Sequence, residues 1–341
     1  MSASSCSFIL TKRAASQGRN MHIFALTDNP IATIAGGLNL NRFSLQAKTF
    51  YRWFHLCNDW LNSPPYALDP TIVLRPITVQ RIDVMVYGVG SVDGPAIPRD
   101  SLELIKPGCY GIFSGDGTPY KGNVNCIQLF RYNFEEEIEA CRHYADSPDE
   151  VTQQNEISSE LRALAMARDE GHCFVTGRAD EETVLVWIVP PAVAFRRSNM
   201  NETTLTMHLH VDNIVTVSSN LTFFFKRNAF TVDLEDAARV IQFEDLPDAL
   251  PSHCPVLLPS ASEPFWRSHL KHTLSAFLPA GRANYDQEGY QARKLMKELV
   301  DDEDAVKLGD AKWETPVGAE VFGVYMERVK KSDDDNDTEY S

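Results

Sequence analysis

Apolar residues recur at steps of three and four between positions 47 and 61, which puts Ala47, Phe50, Phe54, Cys57 and Leu61 on one face of a helix. Ser44 is placed to cap it, and Pro64-Pro65 to end it. Between 71 and 132 the period falls to two. Ile82, Val84 and Val86 alternate with Asp83, Met85 and Tyr87, as in a strand with one buried face. The stretch from Gly88 to Gly94 reads as a flexible turn. Segments 105–113 and 124–130 predict two more strands, joined by a hairpin at Gly115-Asp116-Gly117. The 44–61 helix is expected to pack on this antiparallel set. Segment 134–144 predicts a short acidic helix, and 146–150, polar and holding Pro148, a linker. Ile157, Leu161, Leu164 and Ala165 then share a helical face. Ser262-Glu263-Pro264 opens a helix that turns Trp266, Leu270, Leu274, Phe277 and Leu278 inward. Helical patterns continue over 285–301 and 317–330. The class is α+β, with a β-rich N-terminal half and C-terminal helices.

Composition narrows the setting. The chain has 341 residues, 43% apolar and 23% charged, which suits a soluble globular protein of two domains. Its seven cysteines contain no CxxC pair, which argues for free thiols in a reducing compartment and against a zinc ribbon. No apolar run approaches the ~20 residues of a membrane span. Near the N-terminus the apolar core is only Phe8-Ile9-Leu10, too short for a signal peptide. These features predict an intracellular protein, cytoplasmic or nuclear, with no membrane partner. The net charge is −15, and residues 151–245 hold 8 Lys and Arg against 14 Asp and Glu. A surface that grips a phosphate backbone is usually basic, so the charge argues against tight nucleic-acid binding.

The specific signal lies between 161 and 233. It runs Arg168-Asp169-Glu170-Gly171-His172-Cys173-Phe174-Val175-Thr176-Gly177, then Val186-Trp187-Ile188-Val189-Pro190. It continues as Asn213-Ile214-Val215-Thr216-Val217-Ser218-Ser219-Asn220-Leu221-Thr222-Phe223-Phe224-Phe225 and closes on Ala229-Phe230-Thr231-Val232. This resembles the HNH nuclease domain of a protein family common in fungi, whose members read RD-x-x-x-C-x-x-[TS]-G, A-H-I-[IV]-P and N-x-[IV]-x-L-x-x-x-L-H-x-x-F-D-x-x-x-F. The resemblance covers about a third of the chain, and the 264–278 helix is similar to the one that follows in that family. It implies an HNH-like ββα module within residues 151–280. Flanking it are a tail at 1–20, a β-rich domain at 21–146, C-terminal helices at 281–330 and an acidic tail at 331–341, with both tails expected to be disordered.

In an HNH site two histidines and an asparagine surround one divalent cation. One histidine takes a proton from water, the asparagine orients it, and the last histidine holds the metal. The resemblance aligns these roles with Trp187, Asn213 and Thr222. Indole has no basic nitrogen, and a neutral threonine hydroxyl is a poor metal ligand. The family's F-D becomes Phe225-Lys226. The implied function is a pseudo-nuclease that serves as a binding or regulatory module, with no cofactor expected. Two other readings stay open: an active endonuclease that holds a divalent metal with displaced ligands, and an interaction protein unrelated to nucleic acid. The partner is then a nucleic acid or another protein. If extended, His208 and His210 would share a face with Asp212, a weak candidate for metal binding. His172 beside Cys173 reads as a turn residue next to a buried thiol. His269 and His272, one turn apart, read as a solvated flank of their helix.

Overall fold

A computed structural model of the chain describes residues 9–27, 31–58, 69–84, 86–122, 124, 133–145, 147–179, 182–279, 287–301 and 310–326. In chain order the elements are α1 (Lys12–Ser16), β1 (Met21–Leu26), β2 (Ile31–Leu38), α2 (Ala47–Asn58), β3 (Val73–Asp83), β4 (Val86–Val92) and β5 (Gly108–Phe113). There follow α3 (Phe134–Tyr144), α4 (Pro148–Gln154), α5 (Ser159–Asp169), β6 (Thr183–Trp187), α6 (Pro191–Arg197), α7 (Glu202–His208), β7 (Ile214–Ser218) and α8 (Ser219–Lys226). The last are β8 (Phe230–Asp233), β9 (Arg239–Gln242), α9 (Glu263–Phe277), α10 (Gln287–Asp301) and α11 (316–326). The class is mixed α+β. No helix among the described residues is long and apolar enough to cross a membrane.

The chain divides into two compact units. One comprises residues 1–40, 58–127 and 279–341, the other 41–57 and 128–278. The first is built on a closed barrel of five strands in the order β1-β2-β4-β3-β5. All its pairs are antiparallel except β5 on β1, which closes the barrel in parallel. Phe24, Ile34, Ile77, Val79, Tyr87 and Phe113 form its core. Gly111 leaves room for the core side chains, because a Cβ there would lie 2.9 Å from both Leu26 and Phe113 and push them aside. Ala292 and Leu299 of α10 pack with Trp313, Val317, Val321 and Ile9 in a second cluster of this unit.

Several local expectations change in this unit. The alternating run at 82–87 is not one strand but the end of a hairpin. Val84 is in a turn, Asp83 pairs with Val86, and Ile82 is exposed. The glycine-rich stretch after it is the body of β4, where Gly88 pairs with Ile31 and Gln80. The tail expected at 1–20 contains α1, capped by the Thr11 side chain, with Ala14 buried. The strand expected at 124–130 lies outside the described residues except Val124, as does the acidic tail at 331–341.

In the second unit α2 begins at Ala47, not at Ser44, and Gln46 supplies the carbonyl that opens its hydrogen-bond ladder. Ala47, Phe50, Phe54 and Cys57 are buried as the spacing predicts, while Leu61 lies outside the described residues. Residues 41–57 nevertheless group with 128–278 and not with the 71–132 strands. Phe43 packs edge-on against Phe243 at 5.5 Å, and a polar tie is added. Asp233, at the end of β8, accepts hydrogen bonds from both terminal nitrogens of Arg52 and from Trp53 Nε1. The expected linker at 146–150 instead starts α4, with Pro148 in its first turn, where a missing N–H costs nothing.

Candidate functional site

The site is assembled from the motif residues outward. α5 ends at Asp169, and Glu170 and Gly171 both take left-handed conformations (φ 51° and 74°) that turn the chain sharply. Arg168 pairs with Asp169 and donates to the carbonyls of Val211 (2.9 Å) and Ile214 (2.6 Å). Asp169 accepts from the Thr216 backbone N–H (3.1 Å) and hydroxyl (2.8 Å). This dipeptide is therefore a clamp on the start of β7. Next comes a tight turn, in which Gly177 N donates to Cys173 O and Cys173 N to Arg178 O. Gly177 has φ 70°, and a Cβ on it would sit 2.9 Å from Pro255. Cys173, Leu221, Phe225 and Phe230 are buried together in one core with Phe174 and Trp266.

β6 and β7 form an antiparallel hairpin in register from Thr183↔Ser218 to Trp187↔Ile214, and α8 follows directly. Hairpin and helix make a ββα unit. The long excursion from 188 to 213, carrying α6 and α7, is closed at its base by Asn213. This side chain is fully buried. Its Oδ1 accepts from Val189 N (2.9 Å), and its Nδ2 donates to Val189 O and His208 O (both 2.8 Å). The structure thus brings Asn213 beside the strand end that carries Trp187.

Trp187 is buried against Ala165 and Ile214. Its Nε1 donates to the backbone oxygen of Asn155 at 2.8 Å. Thr222, one turn into α8, donates to Ser218 O at 3.2 Å, the usual back-bond of a helical threonine. A cavity of about 480 Å³ opens beside Trp187. Phe134, Ile138, Val186, Trp187, Pro190 and Phe225 make its floor. Glu135, Glu136, Glu139, Arg142, Asn155 and Lys226 make its rim. Neither Asn213 nor Thr222 lines it.

The His208–His210 pair is not an extended strand. His208 ends α7, with its Nδ1 2.8 Å from Thr204 O, and His210 caps the short turn that follows, 3.1 Å from Asp212. The helical turn breaks the period-two placement that would have put both rings on one face. Burial lowers the His208 pKa, and the bond to Thr204 partly offsets this. Among the described residues no group of three His, Cys, Asp or Glu side chains is placed to hold a metal ion.

His269 and His272 are the clearest correction. Both are fully buried. His269 Nδ1 lies 2.7 Å from the Thr231 hydroxyl, and its ring stacks on Phe225 at 4.7 Å. His272 stacks on Phe134 at 4.0 Å, and its Nδ1 meets Arg197. Burial drives the His269 pKa down to about 3, so the ring is neutral. Asn155 is a site residue that the pattern of the sequence did not reveal; it caps the C-terminus of α4, whose first residues read as a linker. Its side-chain oxygen accepts from Ala192 N.

No protein-family model, no curated protein and no solved structure matches this chain.

Proposed function

We propose that residues 151–280 are a ββα module of the HNH type that has lost its chemistry and serves for binding or regulation. One observation carries this reading. At the two positions where HNH chemistry calls for imidazole, the side chains spend their only N–H or O–H on the backbone of their own fold. Trp187 donates to Asn155 O, and Thr222 to Ser218 O. Neither can accept a proton from water, and a hydroxyl turned back onto its helix is a poor metal ligand. Asn213 keeps the part of its role that holds backbone together.

The argument is one of magnitude. A general base is worth about 10²–10⁴-fold, and a bound metal adds several kcal/mol of charge stabilisation. A phosphodiester nuclease needs both. Purified protein should therefore leave plasmid DNA as buffer does, with magnesium, manganese or zinc present. Trp187→His combined with Thr222→His tests whether the frame can be reactivated. Metal-dependent nicking that co-elutes with the wild-type chain and stops on chelation would favour an active endonuclease with displaced ligands. Retention of DNA without cleavage separates a nucleic-acid partner from a protein one.

A further inference from the structure

The cavity beside Trp187 has a chemistry of its own. We propose that it binds a small aromatic carboxylate, with the ring system on the apolar floor and the acid group held by Asn155 and Lys226. The inference rests on the reading above, in which this face binds and does not cut.

Its size comes first. About 480 Å³ lies within the range of ordinary small-molecule pockets, about 300–1,000 Å³. The floor is also preformed. The Phe134 ring lies on His272 with the planes 8° apart, and Phe225 lies on His269 with the planes 9° apart. Trp187 is tethered through Nε1. Rings already fixed in place give up little freedom when an apolar body lands on them.

The donors left available on the rim then favour an acid group. Three carboxylates stand there, but two are committed within their own helix. Glu136 accepts from Asn133 N in a capping box, and Glu139 pairs with Arg142 at 3.1 Å. Glu135 is exposed in the first turn of α3, where an acid complements the helix dipole. The donors are less committed. The Asn155 oxygen is used by Ala192 N, but its amide nitrogen has no partner among the described residues. Lys226 forms no ion pair or hydrogen bond among the described residues either. Two available donors, one of them cationic, beside an aromatic floor suit a carboxylate. An ammonium group would meet Lys226 as a like charge. Glu135 and Glu136 are carboxylates on the same rim, so the preference for an acid rests on direct contact with Lys226 and Asn155 and not on the net charge of the rim.

The test uses the full chain and three probes that share one ring: naphthoate, naphthylmethanol and naphthylmethylammonium, each titrated calorimetrically. Naphthoate should bind saturably, about fivefold or more tighter than the alcohol, with the ammonium weakest. Lys226→Met, an exposed position, should bring naphthoate down to the level of the alcohol and leave the alcohol unchanged. Ile138→Trp should fill the cavity and abolish all three, with circular dichroism reporting that the variant is folded. The proposal is overturned if naphthoate fails to saturate at millimolar concentration. It is equally overturned if the ammonium binds as well as naphthoate, or if Lys226→Met changes nothing. DNA nicking by the wild type would sink the non-catalytic reading while leaving the naphthoate result to be read by itself.

Discussion

Replacing Asn213 by alanine removes three hydrogen bonds from the base of the 188–213 excursion. The side chain is fully buried, and it serves both the N–H and the carbonyl of Val189 and the carbonyl of His208. A net hydrogen bond is worth about 1 kcal/mol, and a buried partner left alone costs about 1–3 kcal/mol. Val189 is 3% exposed, so water reaches its peptide groups poorly. We expect Asn213→Ala to cost about 3–5 kcal/mol, a large part of the roughly 5–15 kcal/mol that holds a domain folded. Asn213→Asp keeps the acceptor but sets a carboxylate against two carbonyl oxygens, and should cost at least as much. Urea denaturation followed by tryptophan fluorescence reads this well, because Trp53, Trp187 and Trp266 all lie in the affected unit. The other unit holds Trp60 and Trp313, so its transition is separated by fitting two steps, since two units need not unfold together. A loss under about 1 kcal/mol, or Asn213→Asp as stable as wild type, would refute the argument that this residue is a structural clasp.

Other expectations follow the same logic. Asp233→Ala leaves Arg52 and Trp53 Nε1 without their shared acceptor. It should cost about 2 kcal/mol in the same denaturation experiment, since Arg52 is part-exposed and has Glu235 at 3.7 Å as a second partner. Phe54→Ala empties a fully packed position on α2, for which about 3–5 kcal/mol is the usual loss; under 1 kcal/mol would put that face at the surface. His269 gives a pH dependence. Burial lowers its pKa from 6.5 to about 3, so the unfolded chain takes up the proton first as pH falls. Its contribution is whole above 6.5 and is lost toward 3, at about 1.4 kcal/mol per pH unit. Urea midpoints measured over that range should fall less steeply in His269→Phe, and an unchanged slope would contradict the assignment.

What the sequence determined by itself is what short-range periodicity and stereochemistry control. Phe134–Tyr144 is a helix as its pattern predicts, capped by Asn133 and Glu136. Trp266, Leu270, Leu274 and Phe277 of α9 face the core as their spacing requires. Cys173, Val186, Val215, Leu221, Phe225 and Phe230 are buried along the run from Arg168 to Phe230, while Phe223 beside them is exposed. Tertiary structure decided the rest. A reversal at Val84 preserves apolar alternation on both sides, so a period of two cannot reveal the turn. Glycines at 88 and 90 read as a turn, yet a strand's hydrogen bonds come from its neighbours, and β2 and β3 supply them. α2 joins the second unit through Asp233, 181 residues from Arg52, a bond no local window contains. His269 and His272 look like the polar flank of α9 because nothing in their own helix covers them. Thr231 covers one ring, Phe225 stacks on that ring, and Phe134 stacks on the other. The cavity likewise draws its walls from α3, the end of α4, the β6 end and α8. Burial depends on which distant segment arrives over a side chain, and local periodicity carries only the side chain's own half of that contact.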